Sequence, residues 1–351
     1  MLLSMGNKKI GEGQPVFIVF EAGPTHTGIK SAKLLADHAK KSGADAIKFQ
    51  ITNHEELIHD KGLLFEYDIL NSNNERETIS EPLIDIWERR WMSDDDWRDL
   101  KAHCDKIDLN FFATIFSIED LNLIKELGCQ SIKIASQDTN YRDLIELCAV
   151  ENLPIQLDTG GSSLGEIERA VDWILDKGND KIIINHCPSG YPARLESINL
   201  RVLQTLKEMF PYPIAFSDHT PGWEMDIAAV SLGADIIEKT ITLDRYQKSC
   251  EHMMSLEPHE MSSFIKSIRH TEIALGDKRR VLSKEQREKR EAIRRSAYLI
   301  NDVLEGEKFK ISDIAFKRPG FGIKPDEYNK FLGLKYKSSL KAGHMLIPED
   351  F

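Results

Sequence analysis

Residues 17–23 read FIVFEAG: four apolar residues in succession, then a carboxylate, an alanine and a glycine. Seven similar runs follow at 46–51 (AIKFQI), 110–116 (NFFATIF), 131–136 (SIKIAS), 154–160 (PIQLDTG), 181–187 (KIIINHC), 214–220 (IAFSDHT) and 236–242 (IIEKTIT). A strand of a parallel sheet is covered on both faces, so it should be apolar throughout. Nearly every run instead carries a charged, hydroxyl or imidazole side chain near its end. In a (β/α)8 TIM barrel those ends converge on one active-site mouth, so the pattern predicts this α/β fold and an enzyme.

Helical patterns separate the runs. Residues 31–42 repeat apolar side chains at helical spacing from Ala32 to Ala39, and Gly43 follows as a stop signal. Alternation of strands and helices at this spacing indicates βαβ units and a parallel sheet. One connection is different: residues 52–93 are long, polar and rich in turn residues, which predicts an insertion at the catalytic face.

The composition changes after residue 276. Residues 277–295 are densely charged with few apolar anchors, which is typical of a solvated linker helix. Residues 296–351 form short β-like pieces with turn residues, too few for a large independent core. The sequence therefore predicts a barrel over 1–276, a charged linker over 277–295 and a small β-rich domain over 296–351, docked on the barrel or on a neighbouring subunit.

Bulk properties exclude some function classes. The chain has 351 residues and a formal net charge of −11, whereas binding to nucleic acid or an anionic membrane needs a concentrated basic face. The five cysteines lack the CxxC spacing, which favours free thiols in a reducing compartment. Neither a signal peptide nor a membrane-spanning run is evident. We therefore expect a cytoplasmic protein with no nucleic-acid or membrane partner.

Two lysines near strand ends suggest an anion site. Lys48 and Lys133 would point into the mouth of a barrel, where a lysine is costly unless an anion pairs with it. Such a phosphate or carboxylate cradle would be completed by three serines: Ser136, Ser189 and Ser217. The alternative is a purely structural salt bridge from the lysines to Glu21 or Glu238.

Other candidates are carboxylates and histidines. Glu21 and Glu238 lie on the first and last strands, which become neighbours when a barrel closes, and they would serve as acid/base groups or accept ligand hydroxyls. His219 is the best candidate for a metal ligand, although a single histidine is more often simply a satisfied polar residue. His26, on the first βα loop, would contact substrate or cap the first helix.

Several motifs together resemble the sialic acid synthase family, the N-acetylneuraminate synthases and their legionaminate and pseudaminate relatives. In the barrel these motifs are FIVFEAGPTHTG, GADAIKFQ, IKIASQDTNY, CPSGYP, FSDHT, LGADIIEKTITLD and SLEP. The C-terminal residues, which include RRSAYLINDVLEGEKF, RPGFGI and KAGHML, resemble the antifreeze-like SAF domain. The resemblance spans nearly the whole chain except residues 52–93.

The resemblance implies a reaction and a set of roles. The family condenses phosphoenolpyruvate with an N-acylated hexosamine in its aldehyde form, giving a nine-carbon 2-keto acid and phosphate. By this resemblance five residues would hold phosphoenolpyruvate: Lys48, Lys133, Ser136, Ser189 and Ser217. Glu21 would hold the sugar or a metal-bound water, Asp138 would act in the carbon–carbon and hydration steps, and Glu251 would bind sugar hydroxyls. Arg318 of a partner subunit would reach the N-acyl group, which implies a domain-swapped homodimer.

The chain departs from the family pattern at the mouth. The family's divalent metal, usually Mn²⁺, is held by two histidines; one matches His219, but Thr240 stands where the second is expected, and threonine is a poor ligand beside imidazole. Asp158 replaces a serine that contacts the substrate phosphate, and an unpaired carboxylate there would repel it.

Three explanations of these departures stay open. Asp158 and His219 together would give a changed ligand set for the metal. The same condensation would otherwise run without a tightly bound metal. In the third case the chain has drifted to another substrate or is an inactive paralogue that binds phosphoenolpyruvate or sugar without standard turnover. An ice-binding role for residues 296–351 is disfavoured by the charges that they carry.

Overall fold

The computed structural model describes the backbone of residues 1–351 and every side chain except those of His54 and Glu56. The chain divides into two compact units, Met1–Gly276 and Asp277–Phe351. The strands, in chain order, are β1 (Leu2–Met5), β2 (Lys8–Gly11), β3 (Phe17–Glu21), β4 (Ala46–Ile51), β5 (Leu64–Leu70), β6 (Arg76–Pro82), β7 (Asn110–Ile115), β8 (Ile132–Ile134), β9 (Ile155–Asp158), β10 (Ile182–His186), β11 (Ile214–Asp218), β12 (Ile236–Thr240), β13 (Ser296–Leu299) and β14 (Ile314–Lys317).

The helices lie between the barrel strands and after them. They are α1 (Ile29–Ser42), α2 (His54–Leu57), α3 (Leu83–Glu88), α4 (Asp94–Lys106), α5 (Ile118–Leu127), α6 (Arg142–Val150), α7 (Leu164–Leu175), α8 (Leu195–Ile198), α9 (Val202–Met209), α10 (Glu224–Ser231), α11 (Pro258–Leu275) and α12 (Lys284–Ile293). None of them, as far as the described residues go, is long and apolar enough to cross a membrane.

The first unit is a closed barrel of parallel strands. Its order is β3-β4-β7-β8-β9-β10-β11-β12, and β12 pairs with β3 to close the ring. The predicted TIM barrel is therefore confirmed. The apolar runs of the sequence generally extend one or two residues beyond the strands, because their polar C-terminal residues leave the ladder and enter the loops that form the mouth.

The strands alternate between an outer and an inner set of side chains. Outward-facing residues such as Ile18 and Ile47 pack with the helices in the large core, and α1 contributes Leu35 to it. Gly43 ends α1 with a φ of 94°, a backbone conformation that glycine adopts without strain. The inward-facing residues are apolar at the N-terminal ends of the strands and charged toward the C-terminal ends. The change in polarity thus runs along the barrel axis.

An N-terminal hairpin covers the bottom of the barrel. Strands β1 and β2 are antiparallel, and Leu3, Met5 and Ile10 pack against inward-facing residues at the start of the barrel strands, among them Phe17 and Ile236. All five side chains are almost fully buried. The hairpin therefore completes the apolar interior at the end opposite the mouth.

The long connection between β4 and β7 is ordered as α2, a β5–β6 hairpin and α3. The buried carboxylate of Glu81, on β6, gathers three partners. It pairs with Arg89, accepts a hydrogen bond from the Tyr67 hydroxyl, and lies 2.8 Å from Lys248 Nζ in the segment after β12. These contacts connect the β5–β6 hairpin to the segment that follows β12.

The second unit contains the charged helix α12 and a small β-rich fold. None of the described α12 side chains is buried. Strands β13 and β14 are antiparallel, and a separate apolar core forms around Leu299, Phe309, Tyr336 and Leu346. This unit therefore has a core of its own.

Candidate active site

A cavity of about 610 Å³ lies at the C-terminal ends of the barrel strands. Nine of the side chains selected from the sequence line it: Glu21, Lys48, Lys133, Ser136, Asp158, Ser217, His219, Glu238 and Glu251. The opposite wall comes from the long β4–β7 connection and is largely apolar: Ile58, Leu63, Phe65, Leu83 and Trp87. The cavity thus has a charged floor and an apolar wall.

The floor is organised around one oxygen atom of Glu238. Its Oε1 accepts hydrogen bonds from Lys48 Nζ at 2.9 Å, Lys133 Nζ at 2.6 Å and Ser217 Oγ at 2.8 Å. Ser217 is the register partner of Glu238 on the adjacent strand, which explains that contact. Burial alone would raise the pKa of Glu238, but the two ammonium groups outweigh it and hold the pKa below its usual range. Its Oε2 has no hydrogen-bond partner among the described residues.

Lys133 has a second carboxylate partner. Asp158 Oδ2 lies 2.9 Å from Lys133 Nζ, and Asp158 Oδ1 accepts a hydrogen bond from Asn185 Nδ2 at 2.9 Å. Burial alone would lower the pKa of Lys133, but Asp158 and Glu238 raise it well above the usual value. The Asp158 carboxylate is thus paired, which is the condition under which a carboxylate is tolerated beside a phosphate.

Glu21 completes a buried charge cluster. It pairs with Lys48, its register partner on the adjacent strand, and its Oε1 accepts the Gly23 backbone N–H at 2.6 Å. In total, three carboxylates (Glu21, Asp158 and Glu238) pair with two ammonium groups (Lys48 and Lys133) on the floor. The salt bridges predicted as the alternative to anion binding are therefore present. Their presence does not exclude a substrate, because a ligand anion can replace one carboxylate as a partner of a lysine.

A histidine and a carboxylate stand at the other side of the floor. His219 Nδ1 lies 3.0 Å from the Pro188 carbonyl oxygen and must donate to it, which leaves Nε2 as the free nitrogen. Thr240 Oγ1 donates to Glu251 Oε2 at 3.3 Å. Burial raises the pKa of Glu251, and the nearby His219 opposes that rise.

These residues do not form a ready metal site. A histidine with one ring nitrogen free and the other hydrogen-bonded to a carbonyl oxygen is typical of a metal ligand. Thr240, however, uses its hydroxyl hydrogen to bind Glu251. No three ligating atoms within 4.8 Å of one another include His219, as far as the described side chains go. The one such group found is Glu257, His259 and Glu260, outside the cavity.

Four predicted site residues lie elsewhere. His26 is buried, with ring centroids 5.7 Å from Phe49 and 6.0 Å from Trp97, and burial lowers its pKa to about 3. It does not line the cavity. Asp138 and Ser189 are likewise absent from the described cavity lining, although Ser136, two residues before Asp138, belongs to it. The fourth, Arg318, is an exposed residue of the second unit.

Sequence reasoning missed several lining residues. Arg90 and Trp87 come from the end of the long connection, and Tyr191 and Cys187 follow β10. The aromatic rings of Tyr191 and His219 lie 5.0 Å apart, centroid to centroid. Only the fold of residues 52–93 shows that Arg90 lines the cavity, because nothing in the sequence of that polar stretch distinguishes Arg90 from its neighbour Arg89.

Comparison with known proteins gives the family. The family model described as NeuB family matches residues 35–280, and the SAF domain matches residues 294–351. N,N'-diacetyllegionaminic acid synthase of Legionella pneumophila is 32% identical over 98% of this chain and 97% of its own length. N-acetylneuraminate-9-phosphate synthase of Homo sapiens is 31% identical over 76% of this chain and 73% of its own. The crystal structure of N-acetylneuraminic acid (sialic acid) synthetase from Leptospira borgpetersenii is 33% identical, with a TM-score of 0.72 over 83% of this chain and 95% of that one. The chain therefore belongs to the NeuB family and carries an SAF domain at its C-terminal end.

Proposed function

We propose that this chain condenses phosphoenolpyruvate with an N-acylated hexosamine in its aldehyde form, giving a nine-carbon 2-keto sugar acid and inorganic phosphate. The observation that carries the proposal is the cluster of two lysines, two serines and three carboxylates in one cavity at the carboxyl ends of the strands. That the chain is a synthase follows from its family and from synthase relatives that cover up to 98% of its length.

The reaction sets clear electrostatic demands. The terminal carbon of the enol phosphate bonds to the aldehyde carbon, whose oxygen takes a proton. Water adds to the resulting cationic carbon, and the carbon–oxygen bond to phosphate then breaks, leaving a ketone and phosphate. A site for this chemistry needs cations for the phosphate, carboxylates near the transient positive charge and a proton donor at the aldehyde oxygen.

The floor supplies the first two requirements. Lys133 and Lys48 are the cations for the phosphate and carboxylate groups of phosphoenolpyruvate, and Ser136 and Ser217 are hydroxyl donors beside them. Lys133 and Lys48 already share Glu238 Oε1, so the ammonium groups are fixed before substrate arrives. This preorganisation lets the site stabilise charge without rearranging. We assign to Glu238 the stabilisation of the positive charge that develops on the pyruvyl carbon.

The remaining roles rest on the resemblance. Glu21 and Glu251 bind hydroxyl groups of the acceptor sugar, and Asp138 accepts a proton in the hydration step. Burial raises the pKa of Asp138 to about 6, within the range of a general base near neutral pH. Arg318 of the partner subunit contacts the N-acyl group, so the active form is a domain-swapped homodimer in the cytoplasm. By the same resemblance Ser189 would be a further phosphate contact, although it is outside the described cavity lining.

Manganese would polarise the aldehyde oxygen if it were bound. The observed donors, with Thr240 hydrogen-bonded to Glu251 and His219 outside any group of three ligating atoms, do not fit a preformed site. We therefore assign the reaction no step through a metal and include metal dependence in the test.

The test is turnover with purified full-length protein. Phosphoenolpyruvate is mixed with a panel of N-acyl hexosamines, with Mn²⁺ or with EDTA, and both phosphate and the 2-keto acid product are measured. We expect phosphate release that requires both substrates and a product heavier than the sugar by the pyruvyl unit. Lys133→Met should abolish release, whereas Lys125→Met, at the exposed end of α5, should not. Tight binding of phosphoenolpyruvate with no release under any condition would refute condensation and support the inactive paralogue.

A further inference from the structure

Arg90 is a buried cation that makes no direct ion pair with a described carboxylate. The side chain is only 8% exposed and lines the cavity. Among the described residues, its Nε and Nη1 have no hydrogen-bond partner and no carboxylate forms an ion pair with it, although Glu251 and Glu21 act on it from a greater distance. Burial lowers its pKa. An isolated charge taken out of water is among the most costly features that a fold can carry, so this guanidinium requires an explanation.

Its neighbour in sequence shows how the chain treats a structural arginine. Arg89 donates to both oxygens of Glu81 and is part of the network that holds the hairpin. Arg90 instead points to the cavity, with its guanidinium carbon 3.6 Å above the centre of the Trp87 ring. The stacking holds the group in place and offsets part of its desolvation. It provides no hydrogen-bond acceptor.

The other cations of the cavity are already neutralised. Lys48 and Lys133 face three carboxylates, so the floor alone carries an excess of negative charge. The ionisable groups that act on Arg90 are Cys250, Glu251, Glu21 and Tyr191. Two of them, Glu21 and Glu251, are the residues to which the proposed function assigns the acceptor sugar.

We propose that Arg90 is an oxyanion-binding residue of the cavity, which receives a carboxylate or phosphate group of a substrate on the acceptor side. A guanidinium presents parallel N–H groups that match both kinds of oxyanion. Because Glu21 and Glu251, which are proposed to bind the acceptor sugar, line the same cavity and act on Arg90, we assign the anion to the acceptor sugar rather than to phosphoenolpyruvate. The assignment to the acceptor rests on the proposed function, whereas the anion site itself does not.

The test measures binding rather than turnover, using calorimetry on the full-length protein. The three probes are phosphoenolpyruvate, a neutral N-acyl hexosamine and the same sugar with a 6-phosphate group. We expect Arg90→Met to weaken binding of the phosphorylated sugar by roughly 10- to 100-fold, since a charge-assisted pair is lost, and to leave the neutral sugar unchanged. Arg90→Lys, which keeps the charge but not the planar fork, should fall between the two.

Arg142→Met is the matched control, because Arg142 also stacks on a tryptophan, Trp173, but at the exposed surface and outside the cavity. It should bind all three probes as the wild type does. If Arg90→Met weakens phosphoenolpyruvate instead, the oxyanion site stands and its ligand is that substrate. If neither anionic probe changes by more than about two-fold in Arg90→Met or Arg90→Lys, the proposal is wrong.

The readout separates this inference from the condensation reaction. If the wild-type protein shows no turnover but the Arg90 variants still lose affinity for the anionic probes, the anion site is supported and the condensation is refuted. If turnover is normal and both Arg90 variants keep the affinity of the wild type for the anionic probes, the condensation is supported and the anion site is refuted. Thermal unfolding checks folding: Arg90→Met should melt no lower than the wild type, because the variant removes a buried charge that makes no ion pair. If Arg90→Met does not fold, Arg90→Lys carries the test.

Discussion

Asp158 offers a sharp test of the electrostatics of the cavity floor. An oxyanion bound to Lys133 Nζ at hydrogen-bonding distance would lie roughly 5 Å from Asp158 Oδ2, because that oxygen is itself 2.9 Å from the same nitrogen. At an effective dielectric constant of about 20, two like charges at that separation repel by about 3 kcal/mol. We therefore expect Asp158→Asn to tighten the binding of phosphoenolpyruvate by up to about 100-fold.

The same substitution should lower stability. Lys133 keeps Glu238 as a partner at 2.6 Å, so the buried lysine is not left without a counter-charge. The loss should therefore fall below the ~3–5 kcal/mol typical of a fully broken buried pair, at about 1–3 kcal/mol. With an unfolding entropy of about 0.6 kcal/mol/K for a unit of this size, the melting temperature should fall by roughly 2–5 °C.

Calorimetry with phosphoenolpyruvate and thermal unfolding measure the two effects. Asp172→Asn is the control, since it removes the same charge from an exposed position of α7 and should change neither quantity. Unchanged or weaker binding of phosphoenolpyruvate in Asp158→Asn would refute the reasoning, because the carboxylate would then assist the anion.

Two further predictions concern pH. Burial raises the pKa of Asp138 to about 6, so kcat should rise with pH through about 6, and Asp138→Asn should lose that limb of the pH profile; a limb that persists in the variant would exclude Asp138 as the base. For Glu81, burial alone would raise the pKa, but hydrogen bonds from Arg89, Lys248 and Tyr67 lower it to about 2, below the ordinary 4.5. Ionised Glu81 therefore stabilises the fold above about pH 4.5, and this stabilisation is lost as pH falls toward 2. The difference in free energy of unfolding between the wild type and Glu81→Gln, measured with urea, should shrink from pH 7 to pH 3, and a constant difference would contradict this account.

The barrel could be predicted because its strands have a strong local signal. Each strand is apolar along most of its length because both of its faces are buried. This local pattern is enough to place Lys48 on β4 and Lys133 on β8 without reference to any other part of the chain. The closure of the ring then brings β12 beside β3, and Glu238 and Glu21 to the same floor. Most of the candidate site follows from that topology alone.

Other features of the site depend on tertiary contacts that leave no local pattern. His26 was expected to contact substrate or to cap the first helix, but its ring packs among Phe49 and Trp97. Its Nδ1 accepts a hydrogen bond at 3.3 Å from the backbone N–H of Gly28, the residue at the N-terminus of α1, which is in line with the second alternative. Arg90 and Arg89 are adjacent and chemically identical, yet one binds Glu81 and the other faces the cavity. Which of the two does so is decided by the end of α3 and the position of the hairpin.

The apolar hairpin at the bottom of the barrel has a kinetic consequence. Since Leu3, Met5 and Ile10 fill that end, both substrates have to enter through the mouth. We expect the acceptor sugar to bind nearer to the mouth than phosphoenolpyruvate. Phosphoenolpyruvate should then bind first, and saturating sugar should slow its association. Initial-rate measurements would accordingly show a compulsory order of addition, with a lone sugar forming a dead-end complex.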